Sequence, residues 1–257
     1  MKGTYYRDIR SGCFQQYVIA PAHTVQRIPS NLSFEQAACL GVCGLTAAMT
    51  LWKWLEAPIQ ETSEPLFSSS PRYILIWGGS SVTGQFAIQI ASYSGFEVIA
   101  VASEKTKELV SGLGARHVIT RDNKTNPDIV AEIRAIAGDS LTLAIDIVGP
   151  ETAACCLSAF PPASSDIACK LAPLSFLPKG LVPPSNVEVN DVEMKWFVLD
   201  KESKRYAVAL NKLVAEGVVR LPELEVLDGG LERVEEGLAM QKCGDRGGRK
   251  VVVSLGQ

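Results

Sequence analysis

The stretch YILIWGGSSVTG, residues 73–84, decides the fold of this 257-residue chain. Its first five residues are a short apolar run, which is typical of a buried strand. Its last seven residues combine glycines with small hydroxyl side chains, which is typical of a tight turn. After them, QFAIQIASYSG carries apolar residues at helical spacing. The stretch therefore predicts a strand, a glycine-rich turn and a helix in immediate succession.

The segments that follow alternate between strand and helix patterns. Strands are predicted at 97–102, 117–120 and 141–149, with helices at 105–114 and 128–138. The strand at 141–149 is rich in Val, Ile and Leu, as expected of a strand covered on both faces. Alternation of this kind gives a parallel sheet with helices on both sides. The predicted fold class is α/β, with a Rossmann-type doubly wound parallel sheet.

The regions outside this alternation are less regular. Residues 13–28 are rich in Phe, Tyr, Val and Ile and predict one or two strands, and Asn31 or Ser33 can cap the helix that follows. Residues 56–72 hold three prolines and four serines and predict an exposed loop. Beyond residue 159, strands are predicted at 166–171, 194–199 and 251–255, and a helix at 204–217.

Composition and charge exclude several classes of protein. The chain is 47% hydrophobic with a formal net charge of −3, so no global positive field favours a nucleic-acid partner. Seven cysteines are an odd number, and most lie in apolar stretches, which indicates free thiols in a reducing compartment. No apolar run approaches the roughly 18 residues that a membrane helix needs. We expect a soluble, cytoplasmic protein that binds neither nucleic acid nor a membrane.

The glycine-rich turn predicts a phosphate site. It lies directly after a predicted strand and opens a helix, where a dinucleotide fingerprint lies. Glycines at its two ends allow a tight turn and close helix packing, whereas Ser81 replaces the middle glycine. Backbone N–H groups and hydroxyl groups at the start of the helix can bind a pyrophosphate. The predicted binding residues of this turn are Gly79, Ser80, Ser81, Val82, Thr83 and Gly84.

The end of the second strand bears on the choice of cofactor. Ser103 lies 19 positions after Gly84, where an acidic side chain would bind a ribose 2′-hydroxyl and a basic or hydroxyl side chain would accommodate a 2′-phosphate. Ser103, with Lys105 or Lys107 and with Arg121, can surround such a phosphate. NADPH is therefore favoured. Glu104 would favour NADH if it, and not Ser103, points at the ribose.

Four segments carry a resemblance to a known family. The segments are WGGSSVTGQFAIQIA, SFEQAACLGVCGLTAAMTLW, SGLGARHVI and AIDIVG. Together they resemble the zinc-independent medium-chain dehydrogenase/reductase superfamily, closest to fungal quinone-oxidoreductase-like proteins and trans-acting enoyl reductases of polyketide pathways. The resemblance implies that the hydroxyl-rich turn carries the NADPH phosphates and that Ser103 and Lys107 hold the 2′-phosphate. It places Thr46 near the nicotinamide, as the candidate catalytic residue, and runs Ile147, Val148 and Gly149 past the same ring.

The chain departs from the family pattern in two ways. Arg121 stands where relatives commonly have a tyrosine, and most of the GroES-like β-barrel that opens the family is missing. GCFQQYVIAPAHTVQRIP resembles the last strands of that barrel, so a truncated remnant of it is expected. We expect a barrel remnant at 1–30, the dinucleotide-binding domain at 31–225, and a helix and strand at 226–257 that return to the barrel side.

The expected activity is reduction of an α,β-unsaturated carbonyl by NADPH, on a small molecule or acyl thioester of polyketide-type metabolism. Loss of the barrel leaves an alternative: a non-redox relative that isomerises or cyclises a polyketide intermediate, or a non-catalytic partner of a synthase. A third is that the chain starts inside a longer protein. Apolar surface uncovered by the barrel would favour a homo-oligomer. Zinc is not expected, because His23 and His117 are the only histidines and no C-x-x-C pair exists.

Overall fold

The computed structural model describes residues 8–60, 71–244 and 246–255. Residues 61–70, which make up most of the predicted exposed loop at 56–72, lie outside the described residues. Residues 1–7 of the predicted barrel remnant lie outside them as well.

The described residues contain eight strands and nine α-helices in chain order. The strands are β1 (Tyr73–Trp77), β2 (Glu97–Ala102), β3 (Ala115–Thr120), β4 (Leu141–Asp146), β5 (Cys169–Pro173), β6 (Val187–Val189), β7 (Leu224–Asp228) and β8 (Lys250–Ser254). The helices are α1 (Phe34–Ala37), α2 (Leu45–Met49), α3 (Val82–Tyr93), α4 (Lys107–Gly112), α5 (Asn126–Ala137), α6 (Pro150–Ala159), α7 (Lys195–Leu199), α8 (Lys204–Ala215) and α9 (Val234–Cys243).

Six of the strands form one sheet in the order β3-β2-β1-β4-β5-β6. Every pairing in it is parallel, so consecutive strands need crossover connections. Helices α3, α4, α5 and α6 lie in the first four of these connections, and an irregular loop joins β5 to β6. The strand order reverses between β1 and β4, which is the point where a doubly wound sheet opens a crevice at the carboxyl ends of its strands. The predicted α/β, doubly wound parallel sheet is confirmed.

The sheet is buried on both faces, because two apolar clusters cover it. In β1, Ile74 and Ile76 belong to the cluster that includes α2, α3 and α8, whereas Leu75 and Trp77 belong to the cluster that includes α5 and α6. This alternation follows from the two-residue period of a strand. Phe86 of α3 is fully buried in the first cluster. The core therefore holds β1 and α3 rigidly at the two ends of the glycine-rich turn.

A helical run of 21 residues, Phe34–Trp54, leads into the first cluster. Ser33 and Gln36 form a capping box at its start, which satisfies two of the unpaired N–H groups of a helix end. By length and composition this run is apolar enough to cross a membrane, but more than half of its apolar window is buried inside the fold. Burial of that extent is what the core helix of a water-soluble protein shows.

Two strand predictions are wrong. Residues 13–28 form no strand, and large side chains such as Phe14 and Tyr17 are exposed. A strand requires a neighbouring strand to pair with, and among the described residues no strand pairs with this segment. Residues 195–199, predicted as part of a strand, form the short helix α7, in which Asp200 N–H donates to the Trp196 carbonyl at 2.9 Å. Apolar composition alone did not distinguish a strand from one helical turn.

The carboxyl-terminal part of the chain forms a second, smaller sheet. Strands β7 and β8 pair in parallel as a two-stranded sheet, with α9 between them in sequence. The helix and strand expected within 226–257 are present, as α9 and β8. The division of the chain at residues 30 and 225 stays a prediction.

Candidate functional site

A cleft of about 700 Å³ lies at the carboxyl ends of β1, β2 and β4. Its floor includes Trp77 and Gly78 at the end of β1, Val101 and Ala102 at the end of β2, and Ile147 after β4. This is the crevice at the point where the strand order reverses, and such crevices bind ligands in open α/β sheets. The cleft therefore contains the glycine-rich turn and both of the flanking strand ends that the sequence singled out.

Ser81 is the residue that shapes the turn. It is the N-cap of α3, where its hydroxyl accepts a hydrogen bond from Gly84 N–H at 3.0 Å and donates one to the Gly78 carbonyl at 2.8 Å. Its proton is therefore used inside the turn. Ser80 and Thr83 also line the cleft, and the described residues offer their hydroxyls no partner. The structure thus makes Ser81 a cap and leaves Ser80 and Thr83 as the hydroxyl donors to a ligand.

The glycines of the turn are required by close packing. A Cβ on Gly84 would lie 2.3 Å from the Gly78 carbonyl oxygen, and one on Gly79 would lie 3.0 Å from the Cβ of Ala100. Gly78 has φ +94°, and a Cβ there would lie 2.9 Å from a methyl group of Val148. The backbone consequently passes close to β2 and β4, and the start of α3 faces the cleft with its N–H groups open to an anion.

One end of the cleft is built by the segments after β2 and β3. Ser103, Thr106 and Arg121 line it, and the Ser103 and Thr106 hydroxyls are 2.9 Å apart. Lys107 does not line the cleft, and its ammonium group lies 3.9 Å from the Glu104 carboxylate. The Glu104 N–H in turn donates to the Asp122 carboxylate at 2.6 Å. The structure thus brings Ser103 and Arg121 together at the cleft but turns Lys107 toward Glu104.

The opposite wall of the cleft comes from a segment that the sequence analysis missed. Arg246, Gly248, Arg249 and Lys250, just before β8, all line it. The carboxamide of Gln85 in α3 donates to the Gly248 carbonyl at 2.6 Å, and the Arg246 guanidinium is paired with Glu225 of β7. The sequence signal was RGGR, two arginines around two glycines, which on its own indicates only a polar turn.

The turn after β4 forms the end of the cleft away from Arg121. Ile147 and Val148 line the cleft, whereas Gly149 does not. Gly149 begins α6, and its N–H donates to Asp146 Oδ1 at 2.9 Å and to the Thr152 hydroxyl at 3.2 Å. Asp146 is fully buried, and desolvation raises the pKa of its carboxyl group above its ordinary value. This turn is therefore held by a carboxylate below the cleft floor.

Thr46, the predicted catalytic residue, is buried in α2 and does not line the cleft. Its backbone carbonyl accepts a hydrogen bond from the Thr50 hydroxyl at 2.7 Å. Cys43, about one turn earlier, does line the cleft, and Lys250 Nζ donates to its sulfur at 3.8 Å. A direct catalytic role for Thr46 stays a prediction.

The charges along the cleft favour a polyanion. Among the described residues, Arg121, Arg246, Arg249 and Lys250 line it, against the one carboxylate of Glu151, and Arg246 is paired with Glu225 outside the lining. This local excess of positive charge contrasts with the net charge of −3 for the whole chain. Clefts lined by one sign of charge concentrate ligands of the opposite sign. The site therefore suits a ligand that carries several phosphate groups.

A six-stranded Rossmann sheet with a glycine turn at its crevice defines the dinucleotide-binding domain of a dehydrogenase or reductase. The sequence model of the family described as zinc-binding dehydrogenase matches residues 83–163. The trans-enoyl reductase himH of Aspergillus japonicus is 31% identical over 255 residues, which cover 97% of this chain and 70% of that protein. The trans-enoyl reductase gkaC of Penicillium citrinum is 29% identical over 266 residues, covering 95% and 71%. The chain belongs to this trans-enoyl reductase family of medium-chain dehydrogenase/reductase oxidoreductases.

The solved structures give the same fold. The crystal structure of the CurK enoyl reductase superposes with a TM-score of 0.71 at 21% sequence identity, covering 91% of this chain and 67% of that one.

The family is described as zinc-binding, but the structure shows no zinc site in residues 8–60, 71–244 and 246–255. In these ranges no group of three or more His, Cys, Asp or Glu side chains could hold a metal ion.

Proposed function

We propose that this protein is an NADPH-dependent reductase of α,β-unsaturated carbonyl groups, acting on an enoyl intermediate of polyketide-type secondary metabolism. The observation that carries the proposal is the cleft at the strand-order reversal, with its close-packed glycine turn and its four cationic side chains. The names of the two relatives support the enoyl substrate. The cationic lining supports a dinucleotide with three phosphate groups.

In this proposal, different residues of the cleft contact different parts of the cofactor. Backbone N–H groups at the start of α3, with the Ser80 and Thr83 hydroxyls, face the pyrophosphate, and glycine at 79 and 84 lets the turn pack closely against β2 and α3. Ser103, Thr106 and Arg121 surround the 2′-phosphate, which a guanidinium can bind through two parallel hydrogen bonds. Arg246 and Arg249 complete the wall on the far side of the phosphates. Bound NADPH would supply the hydride for the β-carbon of the enoyl group.

The site residues predicted from the family resemblance have different roles in the proposed site. Gly79, Ser80, Val82, Thr83, Gly84, Ser103 and Arg121 fit the phosphate and adenosine parts of this assignment, and Ile147 and Val148 fit the nicotinamide part, whereas Gly149 lies outside the cleft lining. Ser81 acts by capping α3 and keeping the turn closed. Lys107, which is turned toward Glu104, contributes at most a distant charge.

Further proposals concern the setting of the enzyme. We propose an acyl thioester substrate, presented by a polyketide synthase, which the name trans-enoyl reductase of the relatives supports. All seven cysteines are free, which supports a reducing, cytoplasmic compartment. Exposed apolar side chains, among them Phe14, Tyr17 and Phe34, support a homodimer, which sedimentation at micromolar concentration would test.

The test of the function is a titration of the purified protein with NADPH and with NADH, followed by calorimetry. We expect NADPH to bind at least tenfold more tightly. The complex is then mixed with short enones and enoyl thioesters, and oxidation of NADPH is followed at 340 nm, the absorbance of the reduced nicotinamide. Binding of neither dinucleotide would overturn the proposal and favour the non-redox alternative.

A further inference from the structure

Val148 is an apolar residue whose side chain is exposed to solvent. Its side chain is 59% exposed, although it lies in the turn between β4 and α6 and lines the cleft. One of its methyl groups packs against Gly78, so closely that a Cβ on Gly78 would lie 2.9 Å from it. An exposed valine is ordinary on a surface, but one locked between two strand ends in a binding cleft is placed to meet a ligand.

The group that fixes this turn is the carboxylate of Asp146, the last residue of β4. Its Oδ1 accepts hydrogen bonds from the N–H groups of Val148, at 3.3 Å, and Gly149, at 2.9 Å. Its backbone carbonyl accepts the N–H of Leu174, just after β5, at 2.8 Å. Asp146 thus ties the turn to both neighbouring strand ends.

This arrangement is costly, which indicates that it serves more than packing. Asp146 is fully buried, and its Oδ2 has no hydrogen-bond partner in the part of the chain that the structure describes. A buried, incompletely paired carboxylate destabilises a fold. The two N–H groups it accepts need an acceptor, but a solvent-exposed turn would find one in water. The carboxylate instead imposes one conformation on the turn.

We propose that Asp146 is a positioning residue that holds Val148 as the wall of the cleft against which the nicotinamide half of a bound dinucleotide rests. The proposal rests on the proposed function, since it assumes a dinucleotide. The placement of the two halves follows from the sheet: Ser103 and Arg121 assign the adenosine half to β2 and β3, so the other half lies over β4. Asp146 itself touches neither half.

The experiment compares two ligands on variants of the intact chain. NADPH contains the nicotinamide half, whereas adenosine 2′,5′-bisphosphate contains only the adenosine half with its 2′-phosphate. Val148→Ala should weaken NADPH binding at least fivefold and leave the fragment within twofold. Val208→Ala is the matched control, because Val208 is 51% exposed on α8, outside the cleft, and should change neither.

Asp146→Ala should reproduce the Val148→Ala pattern, and Asp146→Asn, which keeps an oxygen acceptor for the two N–H groups, should restore NADPH affinity to within about threefold of wild type. Equal weakening of both ligands by Asp146→Ala, or a Val148→Ala variant that binds NADPH as wild type does, would overturn the proposal. If Asp146→Ala does not fold, Val148→Ala and Asp146→Asn decide it. Failure of the proposed function itself is distinct, because the wild type would then bind neither ligand.

Discussion

The carboxamide nitrogen of Gln85 lies 2.6 Å from the carbonyl oxygen of Gly248, and the same nitrogen donates to the Ser80 carbonyl at 3.0 Å. One buried side chain therefore joins the glycine-rich turn at the start of α3 to the segment before β8. Through this link the segment that carries Arg246 and Arg249 is held beside the glycine-rich turn.

Gln85→Leu tests this link. We expect it to lower the free energy of unfolding by about 1–3 kcal/mol, because two carbonyl groups lose their donor, and to weaken NADPH binding several-fold, because the cationic segment is released. Gln89→Leu is the matched control. Gln89 lies one turn later on α3, is also buried, and bonds to the backbone of Arg220, outside the cleft.

Both variants should lose similar stability in urea unfolding, and only Gln85→Leu should lose affinity in a calorimetric titration with NADPH. Similar affinities for the two variants would mean that the segment before β8 does not depend on Gln85.

Gly84→Ala should be severe. The added Cβ would lie 2.3 Å from one backbone oxygen and 2.8 Å from another, so α3 must move away from the turn at a cost of about 3 kcal/mol or more. Gly112→Ala is the contrast, because Gly112 ends α4 with nothing within 4 Å of a Cβ and should gain about 0.5 kcal/mol from the loss of backbone entropy. Thermal unfolding measures both, and equal stability of the two variants would contradict the close packing.

Arg121→Ala should weaken NADPH binding by about 1.5–3 kcal/mol, the range for hydrogen bonds to charged groups, and change NADH binding less than twofold. Lys107→Ala should have a smaller effect on NADPH, because Lys107 is turned toward Glu104 and away from the cleft. Titrations of the two variants with both dinucleotides measure this. A larger loss for Lys107→Ala would return the 2′-phosphate to the residue that the family resemblance assigned.

Asp146 predicts a pH dependence of stability. Burial raises the pKa of its carboxyl group in the folded state above the ordinary 3.8 of the unfolded state. At a pH between the unfolded-state pKa and the folded-state pKa, the folded protein holds a proton that the unfolded chain releases. The free energy of unfolding should therefore fall as the pH rises through that range, by about 1.4 kcal/mol for each unit of the shift.

Asp146→Asn removes this contribution. Urea unfolding of the wild type and the variant between pH 4 and 8 should show the variant gaining stability relative to wild type as the pH rises. A stability difference that stays constant across this range would show that the Asp146 carboxyl is not shifted.

The order of the central elements was predictable because short-range patterns encode it. The apolar run at 73–77, the glycines after it and the helical spacing of the next residues set a strand, a turn and a helix within about 20 positions. The strands at 97–102 and 141–149 were predicted for the same reason, although the second one ends at Asp146 in the structure. Residues 13–28 and 194–199 were wrongly predicted as strands, because their apolar side chains are equally compatible with an extended chain and with a helical turn. Whether such a segment forms a strand depends on whether a neighbouring strand pairs with it.

The candidate site was likewise predictable from the sequence only in part. The sequence by itself determined the phosphate turn, Ser103 and Arg121 at strand ends, because parallel strands bring their carboxyl ends to one edge. Only the structure decided that Lys107 turns toward Glu104, that Ser81 uses its hydroxyl as a cap, and that Arg246 and Arg249 line the same cleft as the glycine-rich turn. These last contacts join residues more than 160 positions apart, and their geometry depends on how the chain packs on its return, which no local pattern encodes.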